Sequence, residues 1–140
     1  MSQKHVLLIE DEPHIAEAIR FILGRAGWQV SHEPSGARAV ERIAETAPDA
    51  VILDLMLPGR SGLEILTELR AMRGFVDLPV LMLSARGQGR DREAAARAGA
   101  TEFLSKPFAN ADVLAALERI AAPALTGAPA AAALAGHGRP

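Results

Sequence analysis

Five short apolar runs, each followed by a stretch of helix length, set the tightest limit on what this chain can fold into. Runs that stay apolar throughout read as strands buried on both faces, and their alternation with amphipathic stretches is the pattern of βα units around a parallel sheet. The first strand is expected over residues 5–10 (HVLLIE), with a helix from Pro13 to Gly24 or Ala26 that carries Ile15, Ile19, Ile22 and Leu23 on one side and ends at Gly27. A weaker strand over 28–32 leads to a helix from Ser35, as N-cap, to Ala47 just before Pro48. The third strand, 50–54 (AVILD), is apolar until its last residue; Ser61 then caps a helix with Leu63, Ile65, Leu66 and Leu69. A strand over 79–83 (PVLML) precedes an Ala-rich helix that Gly99 stops, and a strand over 102–105 precedes a helix over 110–121.

The chain has 140 residues, 49% of them hydrophobic, enough for one domain with a continuous core, taken as residues 1–122. Residues 123–140 are dominated by Ala, Gly and Pro, carry no charge before Arg139, and are expected to be a mostly disordered tail. The formal net charge is -2 with acids and bases interspersed, so protein partners are expected rather than direct nucleic-acid or membrane contact. The sequence holds no apolar run long enough to span a bilayer and no signal-peptide pattern, which predicts a soluble, cytoplasmic protein. It has no cysteine, so any nucleophile is oxygen or nitrogen. Its four histidines share no spacing that marks a metal or phosphotransfer site and are read as surface or edge residues; Trp28 is read as core.

Parallel α/β sheets bind ligands outside the carboxyl ends of their strands. Here those ends carry Glu10, Asp11 and Glu12 after the first strand, Asp54 on the third, Ser84 on the fourth, and Lys106 followed by Pro107 on the fifth. Clustered carboxylates are costly without a cation, and an all-oxygen donor set selects a hard one, Mg²⁺. Asp11 and Asp54 are expected as direct ligands, with Glu10 acting directly or through water and a loop carbonyl, that of Met56, completing the protein's share. A carboxylate serves as a phosphoryl acceptor in aspartyl-phosphate enzymes, and Asp54 is the best placed to do so. Lys106 and the metal would balance charge on the transferring group, and Ser84 would donate a hydrogen bond to one of its oxygens.

Glu10-Asp11-Glu12, Asp54 within DLMLPGRSGLE, Ser84-Ala85 and Lys106-Pro107-Phe108 together make the chain, from about Val6 to Ile120, similar to the response-regulator receiver family of two-component systems. Each motif alone is weak; four in order at four successive strand ends are specific. The resemblance implies a flavodoxin-like doubly wound (βα)5 fold with strand order 2-1-3-4-5. It implies phosphoryl transfer to Asp54 from a histidine kinase or histidine phosphotransfer protein, with Ser84 as switch hydroxyl, Lys106 as phosphate-sensing cation, Phe103 as aromatic switch and a cis Lys106-Pro107 bond. Phosphorylation would shift Ser84 toward the phosphate, turn Phe103 inward and alter the face formed by the fourth helix, fifth strand and fifth helix, the surface for a downstream protein target. The implied state is a monomer or a phosphorylation-dependent dimer.

Some positions depart from commoner members of the family. Glu10 stands for the more frequent Asp, Phe103 for Tyr, and Ala116 and Glu118 where winged-helix relatives often carry Arg. Met56 and Arg86 occupy positions that tune dephosphorylation in the family. With no output domain in the sequence, the chain is expected to be a stand-alone regulator, unless the tail begins a linker to one. It is expected not to be an enzyme beyond its own phosphorylation and slow dephosphorylation. Two alternatives compete. A Mg-dependent aspartyl phosphohydrolase usually carries a second acid two residues after its nucleophile, where this chain has Met56, and an unphosphorylated docking module needs no complete set of acid, hydroxyl and lysine.

Overall fold

A computed structural model describes residues 3–85 and 89–121. Five strands, β1 (His5–Ile9), β2 (Gln29–Glu33), β3 (Ala50–Asp54), β4 (Val80–Ser84) and β5 (Glu102–Ser105), form one parallel sheet in the order β2-β1-β3-β4-β5. Five helices, α1 (Pro13–Arg25), α2 (Ala39–Thr46), α3 (Gly62–Ala71), α4 (Gly89–Ala98) and α5 (Asn110–Ala121), cover it. This is the flavodoxin-like architecture expected from the sequence. The expected tail, like Arg86, lies outside the described residues.

Strand alternation divides the core in two. Val6, Leu8, Ala50, Ile52, Leu81 and Leu83 pack with Ile19 and Leu23 of α1 and with Val113, Leu117 and Ile120 of α5. Leu7, Ile9, Val51, Leu53, Val80 and Met82 face the other way, toward Ile43, Ile65, Leu66, Leu69 and Ala95 of α2, α3 and α4. Both faces of the central strands are apolar because both are covered.

Several boundaries differ from the sequence reading, for local reasons. The expected helix from Ser35 opens as a 3-10 turn, Gly36–Arg38, before α2 begins. Gly36 is pinned there: its N–H donates to the Pro58 carbonyl at 3.0 Å, and a Cβ on it would lie 2.4 Å from the Arg60 carbonyl oxygen. β2 starts one residue later than expected because Trp28, buried in the core, gives its N–H to the Leu23 carbonyl at the end of α1. β4 starts at Val80, since Pro79 has no N–H for the ladder. Ser61 caps α3 as expected, in a reciprocal capping box with Glu64.

Candidate functional site

The carboxyl ends of β1, β3, β4 and β5 bring the predicted residues to one edge of the sheet. Glu10 directly follows β1 and is fully buried (0% exposed), and Asp54, the last residue of β3, is 3% exposed. Asp11 is exposed beside them, and one carboxylate oxygen from each of Glu10, Asp11 and Asp54 lies within 4.8 Å of the others. Lys106, just past β5, reaches between the two buried acids, its Nζ 3.3 Å from Asp54 Oδ2 and 3.4 Å from Glu10 Oε1. The peptide N–H of Glu12 donates to Glu10 Oε2 at 3.0 Å and that of Met56 to Asp54 Oδ1 at 3.3 Å. The Met56 peptide therefore lies beside the Asp54 carboxylate, while its side chain is 52% exposed. The Lys106–Pro107 bond is cis.

Lys106 is shared by the two buried carboxylates, with the exposed Asp11 beside them. Burial pushes Glu10 up to about 7, with the Glu12 N–H opposing the rise, the charge of Asp54 reinforcing it and Lys106 opposing it. Asp54 is also raised by burial, which outweighs the pull of Lys106. Glu10 Oε1, buried, accepts no hydrogen bond, its near neighbour being the Lys106 ammonium at 3.4 Å. Oxygen donors only, an excess of negative charge and a buried carboxylate oxygen short of a partner fit a hard divalent cation such as Mg²⁺.

Ser84 is buried at the end of β4, where its hydroxyl donates to Asp91 Oδ2 of α4 at 3.5 Å. Phe103 sits on β5 with its ring already inside the second core cluster, under the guanidinium of Arg92 at 4.7 Å from the ring centroid. The structure thus brings together Glu10, Asp11, Asp54, Met56 and Lys106. Ser84 stands on the neighbouring strand to Asp54, and Phe103 is engaged with α4 instead.

Two residues at this edge were not legible in the sequence. His32, read as an edge residue, lies with Nε2 2.8 Å from the Glu10 carbonyl, to which it donates, and the Arg42 guanidinium donates to the carbonyl of His32 itself. Asp91 opens the Ala-rich helix between two arginines, and it is buried against Ser84. Only the cross-strand and helix–strand placement reveals either one.

A five-stranded parallel sheet with acids, a hydroxyl and a lysine at its strand ends is the arrangement of a signalling receiver domain. Residues 6–118 match the family described as response regulator receiver domain, and the chain belongs to that family. It is 45% identical over 112 residues to the transcriptional regulatory protein KdpE of Mycobacterium tuberculosis, a match covering 80% of this chain and 48% of that protein. To the phosphate regulon transcriptional regulatory protein PhoB of Escherichia coli it is 34% identical, covering 84% of this chain and 51% of the relative. The chain spans about half the length of the curated relatives it matches. Among solved structures, the chemotaxis response regulator CheY4 of Vibrio cholerae superposes with a TM-score of 0.80 at 26% identity, covering 85% of this chain and 99% of that one. No helix among the described residues is long and apolar enough to cross a membrane.

Proposed function

We propose that this chain accepts a phosphoryl group on Asp54 from a phosphohistidine of a histidine kinase or histidine phosphotransfer protein, in the cytoplasm, and passes the signal to a protein target. The observation that carries the proposal is the convergence of Glu10, Asp11, Asp54 and Lys106 at one sheet edge, with Asp54 buried at a strand tip and one ammonium against three carboxylates. Asp54 attacks the phosphorus, the P–N bond to the donor histidine breaks as the P–O bond forms, and the electron pair leaves with the imidazole. Glu10, Asp11, Asp54 and the Met56 carbonyl would hold Mg²⁺, whose contribution is charge balance for the phosphoryl oxygens. Lys106 turns from the carboxylates to a phosphoryl oxygen, and Asp54 loses its free charge in the same event, so the ion pairs of Lys106 are redistributed. Ser84 donates its hydroxyl to another phosphoryl oxygen.

The output face on this reading is α4, β5 and α5. Phe103 is buried in the second core cluster, and on this reading the Ser84 hydroxyl is the group that moves. Incubation with acetyl phosphate and Mg²⁺, followed by intact mass, tests the proposal. One added phosphoryl is expected, lost with EDTA and absent in Asp54→Ala; an unmodified chain, or equal modification of Asp54→Ala, overturns it.

A further inference from the structure

Among the described residues, five polar or charged side chains are buried: Glu10, Glu33, Asp54, Ser84 and Asp91. Glu10, Asp54 and Ser84 belong to the site, and Glu33 is paired with Arg42 and accepts the Ser35 N–H. Asp91, on the first turn of α4 and 8% exposed, has no part in the chemistry above, and burying an acid is costly unless something is gained by it. One of its contacts is with Ser84 Oγ, which donates to it at 3.5 Å.

We infer that Asp91 is the resting acceptor of the Ser84 hydroxyl and sets the threshold for the switch by competing with the phosphoryl group for that one proton. The inference rests on the proposed role of Asp54. A serine hydroxyl carries a single donor, so it serves Asp91 or a phosphoryl oxygen on Asp54, not both. The strand pattern supports the arrangement: Ser84 falls on the same face of β4 as Val80 and Met82, the face that α4 covers through Ala95. The next residue along α4, Arg92, lies over the ring of Phe103. Two consecutive residues of one helical turn therefore hold the two side chains through which the site would be read. When Ser84 turns to the phosphoryl group, Asp91 gives up this one donor, and the contact that ties β4 to the α4 turn carrying Arg92 is broken. Asp91 is thus a positioning residue, acting through Ser84.

Beryllium trifluoride with Mg²⁺, a phosphoryl mimic for an aspartate, is the probe, and its affinity for the full chain is read by ¹⁹F NMR titration. Wild type must bind and Asp54→Ala must not; failure here defeats the proposed function itself. Given that binding, Asp91→Ala is expected to tighten it about three- to tenfold, the worth of one competing hydrogen bond. The gain is expected to vanish when Ser84→Ala is combined with Asp91→Ala, because the competition needs the hydroxyl. Should Asp91→Ala fail to fold by circular dichroism, Asp91→Asn keeps the shape and removes the charge, and about a twofold gain with the same dependence on Ser84 is expected. Unchanged or weaker binding in the folded variants overturns the inference, as does an equal gain with and without Ser84, which would reduce Asp91 to a bulk charge.

Discussion

At the residue scale the site holds its acids against their preference. A carboxylate raised from 4.5 to about 7 in the folded chain binds a proton that the unfolded chain has already released. Between those two values the native state carries more protons than the unfolded state, so stability falls as pH rises and levels off above about 7. For Glu10 the full cost above that range is on the order of 3 kcal/mol in the absence of metal, and Asp54 adds to it in the same direction. Urea denaturation in EDTA is expected to give lower stability at pH 8 than at pH 5; a rise over that range contradicts the assignment. Glu10→Gln keeps the shape and removes the charge. It is expected to gain about 1–3 kcal/mol at pH 8 in EDTA and, if Glu10 serves the metal as proposed, to lose at least about tenfold in Mg²⁺ affinity. A variant more stable and less able to bind Mg²⁺ would show that Glu10 is kept for chemistry. The acids were readable because each ends an apolar run at a strand's carboxyl end, where side chains converge in a parallel sheet. Asp91 and His32 were not, because nothing in their neighbours along the chain indicates burial or a carbonyl partner one strand away.

At the element scale, what was legible depended on whether a signal was local. The start of α3 was placed correctly because Ser61 caps it locally, in a box with Glu64 within four residues of sequence, and β3 because AVILD changes character at Asp54. α2 was read as one helix from Ser35 because the pinning of Gly36 comes from Pro58 and Arg60, some twenty residues away in sequence. Gly36→Ala would drive a Cβ into the Arg60 carbonyl oxygen, displacing the loop that follows Asp54. A loss of about 1–3 kcal/mol is expected, accompanied by weaker Mg²⁺ binding because the Met56 peptide rides on that loop. Denaturation and a metal titration on the same protein check both; loss of stability with Mg²⁺ affinity intact would separate the loop from the metal. The opposite sign is expected at Ala47, which ends α2 in the left-handed region at φ 45 with its N–H bonded to the Ile43 carbonyl at 2.9 Å. Glycine takes that conformation without strain, so Ala47→Gly should raise the denaturation midpoint by about 0.5–1 kcal/mol of stability, with Mg²⁺ binding unchanged.

At the scale of the whole molecule, the sheet is both the shared wall of two cores and the platform of the site. Leu23 of α1 belongs to one core and Leu66 of α3 to the other, both fully buried, and the strands between them contribute alternate residues to each. Because β1, β3 and β4 each place buried residues in both cores, neither layer can come apart without exposing the back of the other. Leu23→Ala and Leu66→Ala are each expected to cost about 2–5 kcal/mol, and to add when combined because they stand on opposite sides of the sheet. Each variant should still unfold in one transition, with circular dichroism and Trp28 fluorescence tracing the same curve, since Trp28 reports from the α1 side. Separate transitions for the two probes in Leu66→Ala would mean that the layer of α2, α3 and α4 melts first. That outcome would matter for signalling: α4 carries Asp91 and Arg92 and would then be free to respond locally, whereas a single transition requires the switch to act through rearrangement of a packed helix against an intact sheet.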